Sequence, residues 1–147
     1  MKFVHINLIA KDYKKMVDFY KTVFDCESID EKRDIKGAWL DKVTAVKNAH
    51  IKGEHLKLPG YKDNYPTIEI FSYEEIVDSS SQPNKKGFSH IAFEVEDINK
   101  TIEKLTQNGG KLLGEVVETE YKNDKKAYFA YTLDIEDNII ELQSFSQ

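Results

Sequence analysis

The sequence has little cysteine and no long apolar run, and both absences limit what the protein can be. Cys26 is the single cysteine among 147 residues, which excludes an internal disulfide. No apolar stretch approaches the roughly 20 residues that a membrane-spanning helix needs. The opening segment 1–10 is interrupted by His5 and Asn7 and lacks the long apolar core of a secretory signal. We therefore expect a cytoplasmic protein with no membrane partner.

An excess of basic residues is also absent. The chain has 21 Lys and Arg against 26 Asp and Glu, interspersed along the sequence, for a net charge of -5. Such a chain offers no positive surface for a phosphate backbone, so we expect no nucleic-acid partner. A chain of this length buries roughly two-thirds of its surface on folding, which is enough for one domain with its own core.

The most informative feature that is present is an internal repeat. Val4-His5-Ile6 is followed by Asp12, seven residues after the histidine, and Ser89-His90-Ile91 is followed by Asp97 at the same distance. Each half then ends in a short strand-like segment that carries a glutamate, Glu69 in the first and Glu141 in the second. The spacing is too wide for a local metal-binding loop, so a duplicated fold has to bring these residues together.

Each half is predicted to be a βαβββ module. Strands at 3–10 and 88–96 are each followed by a helix with an aspartate at its N-cap, Asp12 or Asp97, and Gly109-Gly110 ends the second helix. Further strands are predicted at 26–32, 43–58, 66–71, 111–119, 126–133 and 138–145. The fold class is thus α+β, with two tandem modules forming an incomplete curved barrel around a central cavity. We expect one domain over 1–147, with module one at about 1–74, a connection at about 75–87 and module two at about 88–147.

Strand alternation places the candidate residues. An apolar residue lies on each side of both glutamates, Ile68 and Ile70 beside Glu69, and Ile140 and Leu142 beside Glu141. If these apolar side chains face the helices, each glutamate points away from them. Taken singly, such a glutamate is typical of the solvent face of an amphipathic strand, and His5 is an ordinary polar strand residue. Their joint occurrence at matching places of a repeat favours a metal-binding set.

Other polar and aromatic residues indicate a function less clearly. His50 and His55 lie at odd separation, so they point to opposite faces of a strand, and both are predicted to be surface or packing histidines. Trp39 could cover the cavity or could pack on the domain. The aromatic segment 121–131 could wall a pocket, or could form an edge hairpin or a dimer surface.

These motifs resemble the vicinal oxygen chelate superfamily of glyoxalases, bleomycin-resistance proteins and dioxygenases. The matching pieces are His5-Ile6-Asn7-Leu8, Gly87-Phe88-Ser89-His90-Ile91-Ala92-Phe93 and Asn138-Ile139-Ile140-Glu141-Leu142. The pattern is nearest to glyoxalase-like and methylmalonyl-CoA epimerase-like members.

The resemblance implies a metal site and a mechanism. Ligands at the first and last strands of each module map to His5, Glu69, His90 and Glu141, a set suited to Zn, Ni, Co or Mn. It implies an isomerase or lyase that acts on a small carbonyl compound with adjacent oxygens through a metal-stabilised enediolate. Glu141 is the better candidate for the base, with Glu69 on the opposite side. A homodimer is expected as well.

The chain also departs from the family pattern. Segment 134–138 reads Asp-Ile-Glu-Asp-Asn where Asp-Pro-Asp-Gly-Asn is usual, and Ile9 stands where glyoxalase I proteins carry an arginine, which argues against glutathione adducts. Methylmalonyl-CoA epimerases often have glutamine at the place of Glu69.

Two alternatives remain open. One is a non-catalytic protein that binds a small molecule or antibiotic. The other is a metal-dependent transferase of the fosfomycin-resistance type, with three ligands and no need for Glu69. Specificity is assigned to the predicted loops 33–42 and 118–125, where no motif is recognisable.

Overall fold

The computed structural model describes residues 1–29, 31–120 and 126–146. The chain divides into two compact units, Met1–Asp78 and Ser79–Gln147, and each is described by itself. The α+β class and the tandem arrangement of related modules are confirmed, because each unit begins with a β-strand and a helix and continues into the other strands of a mixed sheet. Within the described ranges, no helix is long and apolar enough to cross a membrane.

Unit one contains, within its described residues, a sheet of five strands and two helices. The elements are β1 (His5–Ile9), α1 (Tyr13–Phe24), β2 (Glu27–Ser28), β3 (Arg33–Lys36), α2 (Ala38–Thr44), β4 (His50–Lys57) and β5 (Thr67–Tyr73). Strand β1 runs parallel to β5, whereas β5 pairs antiparallel with β4, and β4 pairs antiparallel with β2 and β3. The sheet order is β1-β5-β4-β2, with β3 beside β4.

Unit two repeats this plan, with four strands and one helix in the part of it that the structure describes. The elements are β6 (His90–Glu94), α3 (Ile98–Gln107), β7 (Lys111–Glu120), β8 (Lys126–Leu133) and β9 (Ile139–Phe145). Its sheet order is β6-β9-β8-β7, and β6 runs parallel to β9 just as β1 runs parallel to β5. The register of β7 against β8 shifts between Leu113 and Val117, where Gly114 adopts a positive φ of 81°.

Both predicted helix starts are confirmed. The Asp12 carboxylate accepts a hydrogen bond from the Lys15 amide at 3.2 Å, and Asp97 accepts from the Lys100 amide at 3.1 Å. Each aspartate satisfies one of the backbone donors that the first turn of a helix leaves unpaired. These bonds also lower the pKa of both carboxyl groups. The repeat therefore preserves the way in which the chain enters each helix.

The apolar face of each sheet carries the core. Met16 and Tyr20 of α1 are buried, as are Ile68 and Ile70 of β5, and α1 contacts β4 and β5. Complete burial of such a side chain contributes about 1.5–3 kcal/mol. Since neighbouring residues of a strand point to opposite faces, this packing turns Glu69 away from α1, as the sequence predicts.

The segment between β2 and β4 differs from the prediction. Residues 33–42, expected to form a loop, contain β3 and most of α2, and the strand expected at 43–58 begins only at His50. Within the segment 26–32 that was predicted as a strand, the described residues contain the two-residue strand Glu27–Ser28. Helix α2 forms because Leu40 packs against Ile51 and Phe71. The Asp41 carboxylate also accepts hydrogen bonds from two backbone amides just before β4, those of residues 48 and 49.

Cys26 is buried, and its burial raises the pKa of its thiol to about 12. Thiolates, not thiols, are the nucleophilic form of cysteine. Cys26 therefore acts as a core side chain at neutral pH.

Candidate functional site

The first candidate pair lies on neighbouring parallel strands of unit one. His5 of β1 is in register with Thr67 of β5, and Glu69 lies two residues further along β5 on the same face. The His5 Nε2 atom lies 3.4 Å from Glu69 Oε2. The His5 side chain is 44% exposed and that of Glu69 is 15% exposed. The histidine is thus open to solvent, and the carboxylate lies deeper.

The second pair repeats this geometry in unit two. His90 of β6 is in register with Ile139, and Glu141 again lies two residues further along the partner strand. The His90 Nε2 atom lies 2.9 Å from Glu141 Oε2. The same two atoms of the same two residue types therefore face each other in both units.

The structure brings the four predicted residues together as two pairs, each within its own unit. Among the described residues, no three or more His, Cys, Asp or Glu side chains are grouped so as to hold a metal ion. Each pair supplies one imidazole nitrogen and one carboxylate oxygen, the donor types that Zn, Ni, Co and Mn accept in proteins. The donor chemistry fits such an ion, and the joint ligand set stays a prediction.

His55 was missed as a candidate from the sequence. It lies on β4 directly opposite Glu69, and its Nε2 atom is 2.7 Å from Glu69 Oε1. Its ring is also 5.6 Å from that of Phe71 and 6.5 Å from that of His5. The sequence analysis predicts a surface or packing histidine at this position and does not predict its contact with Glu69. Alternation along the strand could have placed it on the candidate face, but only the register of β4 against β5 places it beside Glu69.

His50 lies on the other face of the same strand, as the odd separation predicts. Its Nδ1 and Nε2 atoms each lie 2.6 Å from a carboxylate oxygen, of Glu74 and of Asp34 respectively. These contacts raise the pKa of His50, with Asp34 as the larger cause, and His50 in turn lowers the pKa of Asp34. The ring lines a cavity of about 370 Å³ with Lys52 and Ser72 near the start of α1.

The aromatic candidates have different positions. Tyr131 lies on β8 opposite Glu141, and its ring is 5.0 Å from that of His90. It is therefore part of the immediate surroundings of the second pair. Trp39 lies on α2 and is 60% exposed. Residues 121–125, which belong to segments predicted to wall the pocket and to set specificity, lie outside the described residues.

The altered turn before β9 keeps its structural function. The buried Asp134 carboxylate accepts hydrogen bonds from the backbone amides of Glu136 and Asn138 and from the Asn138 side chain. Asp137 adopts a positive φ of 65° at the place where the usual family pattern has glycine. Burial raises the pKa of Asp134, while these amide donors oppose the rise. The turn thus fixes where β9 begins, and in this way it fixes the position of Glu141 on that strand.

The comparison with protein families decides the family. The family described as the glyoxalase/bleomycin resistance protein/dioxygenase superfamily matches residues 2–138. The chain belongs to this superfamily. The resemblance read from the histidine and glutamate motifs is therefore confirmed, and the paired parallel strands of the two units are its structural counterpart.

The individual proteins that resemble this chain have low sequence identity to it. The uncharacterized protein YwkD of Bacillus subtilis strain 168 is 24% identical over 131 residues, which cover 88% of each chain. A glyoxalase family protein from Bacillus cereus is 21% identical with a TM-score of 0.84, over 100% of this chain and 95% of that one.

A third similar structure contains a metal. The fosfomycin resistance protein FosX from Listeria monocytogenes, complexed with Mn(II) and sulfate, is 18% identical with a TM-score of 0.57, over 97% of this chain and 90% of that one. At these identities the likeness to solved structures establishes a shared fold.

Proposed function

We propose that the protein is a metal-dependent isomerase or lyase that acts on a small carbonyl compound with adjacent oxygens. The observation that carries the proposal is the repeated pair, in which a histidine Nε2 faces a glutamate Oε2 at the same strand positions of both units. One such pair is common on a polar strand face. Two at equivalent positions, in a superfamily that includes a Mn(II)-bound protein, support a ligand set.

His5, Glu69, His90 and Glu141 would together hold the ion. Two imidazoles and two carboxylates suit a divalent metal with about two positions left for the substrate. The ion would supply Lewis-acid stabilisation of the negative charge that develops when a proton leaves the carbon beside a carbonyl.

The two glutamates are the proposed proton-transfer groups of the protein. Glu141 is the proposed base by analogy with the superfamily, and its carboxylate lies 2.9 Å from His90 Nε2. A positioned base of this kind contributes roughly 10²–10⁴-fold to the rate. Glu69 is the second proton-transfer group, on the opposite side of the substrate. Two such groups would permit epimerisation.

The reaction can be tested without knowledge of the natural substrate. The protein is reconstituted with Co, Ni, Mn or Zn and incubated in deuterated water with a panel of hydroxy-ketones and 2-acyl thioesters. NMR then follows the exchange of hydrogen for deuterium at the carbon beside the carbonyl group. We expect metal-dependent exchange in at least one compound and its loss in Glu141→Gln. Absence of exchange in every compound despite bound metal would refute the reaction and favour the binding-protein alternative.

Glu69 distinguishes the proposal from the three-ligand transferase alternative. A metal site of four ligands loses affinity when Glu69→Gln removes one carboxylate, whereas a site of His5, His90 and Glu141 keeps its ion. Metal content of Glu69→Gln therefore separates the two, and a requirement for an added thiol would further favour the transferase.

We also propose a homodimer, which light scattering coupled to size-exclusion chromatography measures directly. A monomer of 17.0 kDa at micromolar concentration would contradict this part of the proposal.

A further inference from the structure

The Glu69 carboxylate accepts contacts on both of its oxygens. His55 Nε2 lies 2.7 Å from Oε1, while Asn7 Nδ2 lies 3.3 Å and His5 Nε2 3.4 Å from Oε2. The side chains of Glu69 and His55 are only 15% and 18% exposed. A carboxylate held in this way on both sides has little freedom to change rotamer.

The strand register explains why Glu69 is held. Strand β5 lies between β1 and β4, so Glu69 has a directly opposite neighbour on each side, Asn7 in the parallel pair and His55 in the antiparallel pair. Both neighbours carry N–H donors, and directly opposite side chains of adjacent strands are close enough to interact. The two donors therefore follow from the fold and do not depend on a mobile loop.

The equivalent glutamate of unit two has different neighbours. Glu141 lies opposite Ala92 on β6 and opposite Tyr131 on β8. The methyl group of Ala92 offers no donor, and the ring of Tyr131 lies against His90. Among the described residues, the Glu141 carboxylate contacts the His90 nitrogen. The repeat thus has one glutamate held on both oxygens and one held by its histidine.

We propose that His55 and Asn7 are positioning residues that fix Glu69 as a metal ligand, and that Glu141, which His90 holds through one oxygen, is the more mobile of the two glutamates. The inference rests on the proposed function and narrows it, because it keeps Glu69 as a ligand and assigns proton transfer to Glu141 alone. His55 holds Oε1, so Oε2 remains on the side of His5, where an ion bound by that histidine would meet it. Removing such a supporting hydrogen bond typically weakens metal binding 10–100-fold.

The test is the affinity of the intact protein for Co(II), measured by calorimetry and by its visible absorption spectrum. The variants are His55→Phe, which removes the donor, and His55→Gln, whose amide can still donate. The control is His50→Phe, since His50 lies on the same strand, is also held by carboxylates and faces the other side of the sheet. Circular dichroism and urea unfolding establish that each variant is folded.

We expect His55→Phe to raise the Kd for Co(II) about tenfold or more without changing the shape of the absorption spectrum. We expect His55→Gln to recover most of the affinity, and His50→Phe to match the native protein. Asn7→Ala, which removes the longer contact, should weaken binding by a few fold. If His55→Phe does not fold, His55→Gln and Asn7→Ala still test the assignment, because native affinity in Asn7→Ala together with a tenfold loss in His55→Gln would overturn it.

Three other results would overturn the inference. An unchanged Kd in His55→Phe would show that Glu69 needs no support, with the proposed function intact. A spectrum that loses a nitrogen ligand in this variant would make His55 a direct ligand. Failure of the native protein to bind Co(II) at micromolar free metal would overturn both the inference and the proposed function.

Discussion

Gly53 is a position where the sheet of unit one admits no side chain. It lies on β4 opposite Phe71 of β5, two residues before His55. A Cβ atom at this position would lie 2.1 Å from the carbonyl oxygen of Ile70 and 2.9 Å from the Cα atom of Phe71. Both are backbone atoms, so no side-chain rotation relieves the overlap. In Gly53→Ala the two strands have to separate by nearly 1 Å.

The energetic cost follows from the hydrogen bonds between the strands. A separation of this size breaks two or three of them, each with a net contribution of about 1 kcal/mol. Alanine lowers the conformational entropy of the unfolded chain, which offsets about 0.4–1 kcal/mol of this loss in stability. We therefore expect Gly53→Ala to lower the free energy of unfolding by about 2 kcal/mol, within the range for overpacked cores. It should also weaken metal binding, because β4 carries His55.

Urea unfolding followed by circular dichroism measures the loss. With an m-value of about 2 kcal/mol/M, typical of small proteins, the midpoint should fall by about 1 M. Lys52→Ala is the matched control, since it introduces the same residue at the adjacent, exposed position and should change stability by less than about 0.5 kcal/mol. A loss below about 0.5 kcal/mol in Gly53→Ala would refute the packing argument.

Three further predictions concern stability. Asp134→Ala removes the buried carboxylate that accepts from three donors of the turn, so the free energy of unfolding should fall by about 3 kcal/mol in urea unfolding, and a loss under 1 kcal/mol would contradict this interpretation of the turn. Asp97→Ala removes the N-cap of α3 and should lower the free energy of unfolding by about 1 kcal/mol, which thermal unfolding shows as a lower midpoint temperature. An unchanged midpoint would show that the cap is dispensable. The pKa of His50 is raised by Asp34 and Glu74, so the stability that this contact adds is fully present below pH 6.5 and is lost as the pH rises through the folded pKa. Imidazole NMR should show a His50 pKa above 6.5, and a lower value would contradict the two-carboxylate geometry.

Much of the fold follows from local patterns in the sequence. The capping aspartates Asp12 and Asp97 predict both long helices, and the alternation around Glu69 and Glu141 predicts which face of each sheet is polar. Such signals involve residues close together in the chain, so a single sequence contains them.

The features that were missed depend on contacts between distant segments. Helix α2 is short and forms because Leu40 packs on Ile51 and Phe71, which lie later in the chain. Tertiary packing of this kind overrides local propensity. His55 likewise becomes part of the site only through the register of β4 against β5, which the long connection between these strands leaves open in the sequence.

We propose that the two His–Glu pairs together bind one divalent metal ion. Elemental mass spectrometry on the untagged native protein, His5→Ala and Glu141→Ala, each equilibrated with Zn, Ni, Co and Mn, tests it most directly. We expect close to one ion per chain in the native protein and its loss in both variants, although each variant removes a residue of a different unit. Retention of the ion in either variant, or no ion in the native protein at micromolar free metal, would contradict the claim.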